Sequence, residues 1–266
     1  TKVLACAFSN VGADNLAEQM LKLGLNVVRI GKPSAVSKHL WEHTLEHAID
    51  QDPTAQRALA NAASATAQLS KSKLAANPGK RSSSVGPAKG APSAQVVRDL
   101  ATAAVRASIQ AANVAATKAL RRADVVVCTS TGAADPRLLA ACGIVTDQDA
   151  KEVIRGPNVS KKPISAAASG DRTNMVRAMA PDKRPPISMP FVMIDEACQS
   201  VEPASLIPLT ASNSCRSLVL LGDPCQLPPT VRSSPTSPLS VSLMERLAST
   251  LQHPVMVTAQ NDQTTK

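Results

Sequence analysis

Short apolar runs alternate with amphipathic stretches toward both ends of the chain, and the two patterns predict different elements. VLACAF opens almost at the first residue, and residues 2–7 read as a buried strand. Behind it, GADNLAEQMLKLGL sets Leu16, Met20 and Leu23 at steps of four and three, the period of one helix face. NVVRIG (26–31) predicts a second strand and SKHLWEHTLEHAI (37–49) a second helix. Further along, ADVVVCTST (123–131), PFVMID (190–195), SLVLLGD (217–223) and PVMVTA (254–259) predict strands, and SLMERLAS (242–249) a short helix. Strand, helix, strand in this rhythm argues for an α/β domain with a parallel sheet.

Two alanine-rich segments break the rhythm. In residues 53–76, Leu59, Ala62, Thr66 and Leu69 recur at three- and four-residue steps. In residues 94–121, Val97, Leu100, Ala104, Ala107, Ala111 and Val114 do the same. Such steps make a narrow seam that suits one partner helix. The stretch between them, NPGKRSSSVGPAKGAPS, holds turn formers and charge, so 77–93 is expected to be a flexible basic loop. The domain reading is therefore an α/β domain over 1–51 and 123–266, with an inserted helical hairpin at 52–122. A second insert, 147–189, is rich in Pro, Lys, Arg and Ser and is expected to be disordered.

Composition narrows the function classes. The 266 residues are 44% hydrophobic, enough for a substantial core, yet include only two Phe, one Trp and no Tyr. Aromatic platforms for stacking bases are thereby nearly excluded. The net charge of +9 is concentrated in two places. Residues 70–92 carry Lys71, Lys73, Lys80, Arg81 and Lys89 without an acid, and 151–186 carry eight Lys/Arg against three acids. Basic segments of this kind suit phosphate backbones, or are merely solvated loops. The six cysteines show no C-x-x-C pair, which points to reduced thiols in a cytoplasmic or nuclear protein. No apolar stretch approaches the roughly 20 residues of a membrane helix. Thr1 stands where Met would open a complete chain, so a fragment is expected.

Two predicted strands end in acids: FVMID runs into EACQ, and SLVLLGD into PCQLPPTV. Ligands of open α/β sheets bind beyond the carboxyl ends of the strands, where Asp195, Glu196, Asp223 and Gln226 would converge. Alone, the Asp195–Glu196 pair could be no more than a strand meeting water. An aspartate there can instead hold Mg²⁺ through waters and substrate phosphates, and a neighbouring glutamate can take a proton from an attacking water. Gln226 could donate to a phosphate oxygen without repelling it. Other candidates have blander readings. His39, His43 and His47 fall near one face of the predicted helix without a fourth ligand, and read as exposed helix residues. Cys225 reads as a small filler, while Ser9 and Asn10 suit either a helix cap or a phosphate contact.

Taken together, D-E-A-C-Q followed by G-D-P-C-Q-L-P-P resembles motifs II and III of superfamily 1 helicases. CAFSNVGADNLAEQMLKLGLNVVRIGKPSAV resembles motif Ia and its surroundings in the subclass of the up-frameshift nonsense-decay helicase and the immunoglobulin mu-binding protein helicase. ADVVVCTSTGA resembles the same subclass's motif Ic. The likeness covers about 1–50, 123–145 and 190–260. It implies a RecA-like P-loop NTPase sheet that couples ATP hydrolysis to 5′-to-3′ movement on single-stranded RNA or DNA. Carried over by residue, Asp195 would hold Mg²⁺, Glu196 would be the hydrolytic base and Gln199 would face the nucleotide. Gln226 would sense the γ-phosphate, with Gly222 and Asp223 beside it. Ser9, Asn10, Thr129, Ser130 and Thr131 would touch the nucleic-acid backbone, and Pro229 and Thr230 would link motif III to it. The hairpin would stand where the subclass inserts a subdomain that clamps nucleic acid. A monomer is expected, with the basic inserts open to protein partners.

The departures from the family weigh equally. No G-x-x-x-x-G-K-[ST] loop occurs in the chain, and VMVTAQ continues with NDQTTK rather than an aromatic and an arginine. The loop's strand belongs to the central sheet, so a gap in the fold is expected. Residues 1–266 alone are expected to be inactive as an ATPase. Two rivals stay open: a non-catalytic helicase homologue that scaffolds nucleic acid, and a nucleotide-binding regulator with no nucleic-acid partner.

Overall fold

The computed structural model describes residues 1–75, 94–144, 185–223, 225, 227–231 and 237–250. Five parallel strands form one sheet: β1 (Val3–Ala7), β2 (Val27–Arg29), β3 (Val125–Thr129), β4 (Phe191–Asp195) and β5 (Ser217–Leu220), in the order β2-β3-β1-β4-β5. The helices are α1 (Asn10–Lys22), α2 (Leu45–Asp50), α3 (Pro53–Ala75), α4 (Ala94–Arg122), α5 (Pro136–Ala141), α6 (Glu202–Ser212) and α7 (Leu243–Thr250). The α/β parallel-sheet reading therefore holds, and the sheet is consistent with a RecA-like fold.

The apolar runs become strands because both faces of the sheet are covered, so no alternation is needed. One layer packs Leu4, Cys6, Val126, Cys128, Val192 and Ile194 against Leu120, Leu138 and Met189. The other packs Ala5, Ala7, Val125 and Val127 against Ala13, Leu16 and Ala17 of α1. Register aligns the carboxyl ends: Ala7 pairs with Thr129 on one side and with Asp195 on the other. No missing strand interrupts these five. Among the described residues the expected gap is not internal; β2 and β5 are the edge strands, and Val219 and Leu221 at the β5 edge are exposed.

Several expectations need correction. Residues 37–49 are not one helix. A 3-10 helix spans Lys38–His43, and Thr44, extended at φ −79° and ψ 153°, ends it and caps α2 by accepting from His47 N–H at 3.2 Å. The three histidines therefore share no single helix face; His39 Nε2 lies 2.6 Å from Glu18 Oε1. In the hairpin, α3 does pack against α4, but the seam is rotated. Ala62 is buried as expected, but Leu59 and Leu100 are exposed, and Ala55 and Ala101, which were not in the expected seam, are buried. Small side chains line the contact because they admit a closer backbone approach than leucine does. Helices α5 and α6 were not anticipated at all. Of the segment 147–189 only 185–189 is described, and there the expectation of disorder fails: Ile187 and Met189 are buried, and Met189 N–H donates to Ser214 Oγ at 2.8 Å. The remainder of that insert, the loop 77–93 and the strand expected at 254–259 lie outside the described residues. No described helix is long and apolar enough to cross a membrane.

Candidate functional site

Asp195 is the last residue of β4, and the chain turns directly after it. Glu196 adopts the left-handed conformation (φ 54°, ψ 34°), which costs a non-glycine residue about 1–2 kcal/mol. Three hydrogen bonds hold the turn in place. Glu196 N–H donates to Asp195 Oδ1 at 2.9 Å, Ala197 N–H to the Leu221 carbonyl at 2.8 Å, and Gln199 N–H to the Glu196 carbonyl at 3.0 Å. The second of these ties the β4 turn to the end of β5. Gly222 makes that approach possible, since a Cβ there would stand 3.2 Å from Cys198 N and Sγ.

A cavity of about 290 Å³ opens between the two strand ends, lined by Asp195, Glu196, Cys198, Gln199, Gly222 and Asp223. The five predicted nucleotide-side residues described here thus meet at one place; Gln226 lies outside the described residues. Asp223 accepts from Cys225 N–H at 2.9 Å, which fixes the turn after β5. Cys198 was not singled out in the sequence. Burial pushes its thiol pKa up, and the negative charges of Asp223 and Glu245 push it further, so it remains a protonated filler against Met244 Sδ at 3.5 Å. Among the described residues no cluster of three His, Cys, Asp or Glu forms a metal cage. A Mg²⁺ ion does not require one, because it keeps waters and takes one or two carboxylates plus phosphate oxygens. Asp195, with one oxygen on a backbone N–H and further acceptor capacity, fits that donor set.

On the other side of β4 the edge changes character. Ser9 follows β1 and caps α1, accepting from Gly12 N–H at 2.9 Å. Asn10 is exposed, and its Oδ1 accepts from the Arg29 guanidinium at 3.3 Å. An amide whose oxygen is engaged that way keeps its two NH₂ donors for other partners. Thr129 ends β3; its hydroxyl accepts from Gly132 N–H at 3.0 Å and lies 3.5 Å from that of exposed Thr131. Ser130 is placed differently from its neighbours: it is buried, and its N–H donates to the Ala7 carbonyl at 2.9 Å. Pro229 is buried and Thr230 exposed.

Acids thus gather at the ends of β4 and β5, and hydroxyl and amide groups at the ends of β1 and β3. One contact crosses the border. Ser9 donates to Glu196 Oε2 twice, from its N–H at 3.2 Å and from its hydroxyl at 3.0 Å. No sequence signal joins residues 187 positions apart.

Several known proteins are similar to this chain in sequence. A family model described as an AAA domain matches residues 1–146 and 175–234. An uncharacterized ATP-dependent helicase of Methanocaldococcus jannaschii is 27% identical over 252 residues, 92% of this chain and 33% of that protein. A regulator of nonsense transcripts 1 homolog of Arabidopsis thaliana is 28% identical over 264 residues, 97% of this chain and 15% of its own length. The DNA-binding protein SMUBP-2 of Rattus norvegicus is 26% identical over 249 residues, 93% of this chain and 19% of its own. The chain thus spans a third or less of the length of these relatives.

Proposed function

Because the chain belongs to the AAA domain family, within the superfamily 1 helicase subclass of the nonsense-transcript regulators and SMUBP-2, we propose that it is part of an ATP-dependent motor acting on single-stranded RNA or DNA. The observation that carries this reading is the division of one sheet edge, with acids around a cavity beyond β4 and β5 and hydroxyl and amide groups beyond β1 and β3. In this reading Asp195 holds a Mg²⁺ ion, which when bound supplies positive charge to the phosphates of ATP. Glu196 orients the attacking water and takes its proton. Gln199, Gly222 and Asp223 shape the rest of the nucleotide side, and Gln226 contacts the γ-phosphate. Exposed donors at Asn10 and Thr131, with Ser9 and Thr129, meet backbone phosphates, and Ser130 supports them from below. Pro229 and Thr230 carry the β5 turn toward the nucleic acid. Helices α3 and α4, within the insert at 52–122, clamp the strand being bound, and the basic segments at 70–92 and 151–186 add salt-dependent affinity. The chain works as a monomer in the cytoplasm or nucleus.

The test is ATP turnover by the full-length protein with and without a single-stranded oligonucleotide, across a salt series. Stimulated turnover with oligonucleotide affinity that falls as salt rises supports the motor. Binding without turnover favours a nucleic-acid scaffold, and turnover with no oligonucleotide binding favours a nucleotide-binding regulator.

A further inference from the structure

We infer that the bound strand continues past β3 to the edge strand β2, where Trp41 stacks on a base and Lys32 holds the neighbouring phosphate. The inference rests on the reading of this sheet edge as a nucleic-acid motor, and it adds a stacking subsite to that reading.

Composition excludes a row of aromatic platforms, but it leaves one tryptophan. Trp41 is 51% exposed, although an indole is among the side chains whose burial stabilises most. The reason is local. Trp41 lies in the 3-10 helix Lys38–His43, where successive residues turn by about 120°. Leu40 packs in the core with Leu16 and Ala17 of α1, so Trp41 is rotated away from that core. Its indole N–H donates to the Pro33 carbonyl at 3.4 Å, which holds the ring beside the loop that follows β2.

That loop belongs to the same sheet edge. Arg29 pairs with Val127, and Ile30 N–H donates to the Val127 carbonyl at 2.8 Å, so the chain leaves the sheet near the level of Thr129. Lys32, Pro33 and Ser34 come next, all exposed. The Arg29–Asp14 pair anchors the loop at both ends. Arg29 Nη1 donates to the Ile30 carbonyl, and Asp14 Oδ2 accepts the N–H and hydroxyl of Ser37. Because Arg29 also holds Asn10 Oδ1, one network sets the loop relative to the groups on β1. β3 lies between β1 and β2, so the two strand ends stand about 10 Å apart, two strand spacings. The nearby acids are engaged elsewhere. Glu18 lies 2.6 Å from His39 Nε2, and Glu42 lines a separate cavity at the foot of the hairpin with Lys118 and Arg122. An exposed indole beside a cation suits an unpaired nucleotide, since the ring stacks on the face of any base and the lysine neutralises its phosphate. Bases within a duplex are already stacked on one another, so the subsite selects single strands.

Trp41 supplies its own reporter. In the full-length protein, the tryptophan emission that Trp41→Phe removes is expected to be quenched when the wild type is saturated with a single-stranded oligothymidylate, and to be unchanged by a blunt duplex. Trp41→Ala is expected to weaken oligothymidylate binding on the order of tenfold at an unchanged salt slope, because stacking releases no counterions. Trp41→Phe, which keeps a ring, is expected to retain most of the affinity. Lys32→Ala is expected to make the salt slope shallower by about one. Unquenched Trp41 emission at saturation would overturn the inference whatever the affinity of Trp41→Ala, since a loss without contact marks a structural role. Equal quenching by the duplex, or wild-type affinity in Trp41→Ala, would overturn it as well. In each of these cases oligonucleotide binding by the wild type leaves the motor reading standing. A wild-type protein that binds no oligonucleotide would overturn the motor reading and the subsite with it.

Discussion

Arg29 is wholly buried, and its Nε donates to Asp14 Oδ1 at 2.9 Å across the interface between β2 and α1. The rest of the group is satisfied as well. Nη1 donates to the Ile30 carbonyl and Nη2 to Asn10 Oδ1, while Asp14 Oδ2 takes the N–H and hydroxyl of Ser37 at 2.9 and 2.7 Å. One ion pair thus ties together β2, α1 and the loop after β2, and it fixes the amide of Asn10 at the sheet edge.

Removing one member of such a pair strands the other charge in the interior. Asp14→Ala is expected to lower stability by about 3–5 kcal/mol, read from the urea midpoint. The double variant Asp14→Leu with Arg29→Met removes both charges and is expected to recover much of that loss. A double variant less stable than Asp14→Ala would show that the pair's net contribution is larger than this account allows.

Glu196 is expected to be the base. Glu196→Gln in the full-length protein should still bind ATP but hydrolyse it at least ~10²-fold more slowly, the scale of lost general-base catalysis. Near-normal single-turnover rates would remove Glu196 from that role.

The sequence disclosed the five described strands because each run is short, apolar and bounded by turn formers, and it placed Asp195 at the end of β4, whereas β5 stops at Leu220, three residues before Asp223. It did not disclose that β1 lies between β3 and β4, since that order depends on packing between segments more than 100 residues apart. Helix α6 holds Pro203 in its first turn, where a missing N–H costs nothing, and a buried Pro208 in its interior, so no uninterrupted helical pattern marks it in the sequence. The expected hairpin seam held only in part: Ala62 is buried as expected, while Leu59 and Leu100 of the same seam are exposed and Ala55 and Ala101, outside it, are buried. The contact between Ser9 and Glu196 has no signature in either motif, and only the shared sheet edge reveals it.

Stability should carry an acid limb at Asp135. This carboxylate caps α5 and bonds Arg137, which also reaches Glu46 at 2.8 Å. Burial opposes its ionisation, but the hydrogen bonds and charge of Arg137 outweigh burial and hold its pKa below the ordinary 3.8. A depressed folded pKa means that the stabilisation is complete above the unfolded value near 3.8 and is lost as pH falls through the lower folded value. Arg137→Met should therefore destabilise more at pH 6 than at pH 2.5 in thermal melts. An equal loss at both would assign the effect to packing.

The last expectation concerns the isolated chain. Three carboxylates, those of Asp195, Glu196 and Asp223, line the cavity proposed to take the nucleotide, and among the described residues no lysine or arginine lines it with them. A triphosphate brought there meets like charge, which a Mg²⁺ ion held mainly by Asp195 offsets only in part. Phosphate-binding NTPases answer this with a glycine-rich loop whose N–H groups and lysine surround the phosphates, and residues 1–266 contain no such sequence. The isolated chain should therefore show no ATP hydrolysis above background, with or without oligonucleotide, even at millimolar ATP and Mg²⁺. It should still bind a single-stranded oligonucleotide, because the donors on β1 and β3 and the basic segments are all within it. Nucleic-acid-stimulated turnover by residues 1–266 would mean that another group cradles the phosphates. Loss of both activities together would instead point to a chain that does not fold alone, which circular dichroism of the same sample distinguishes.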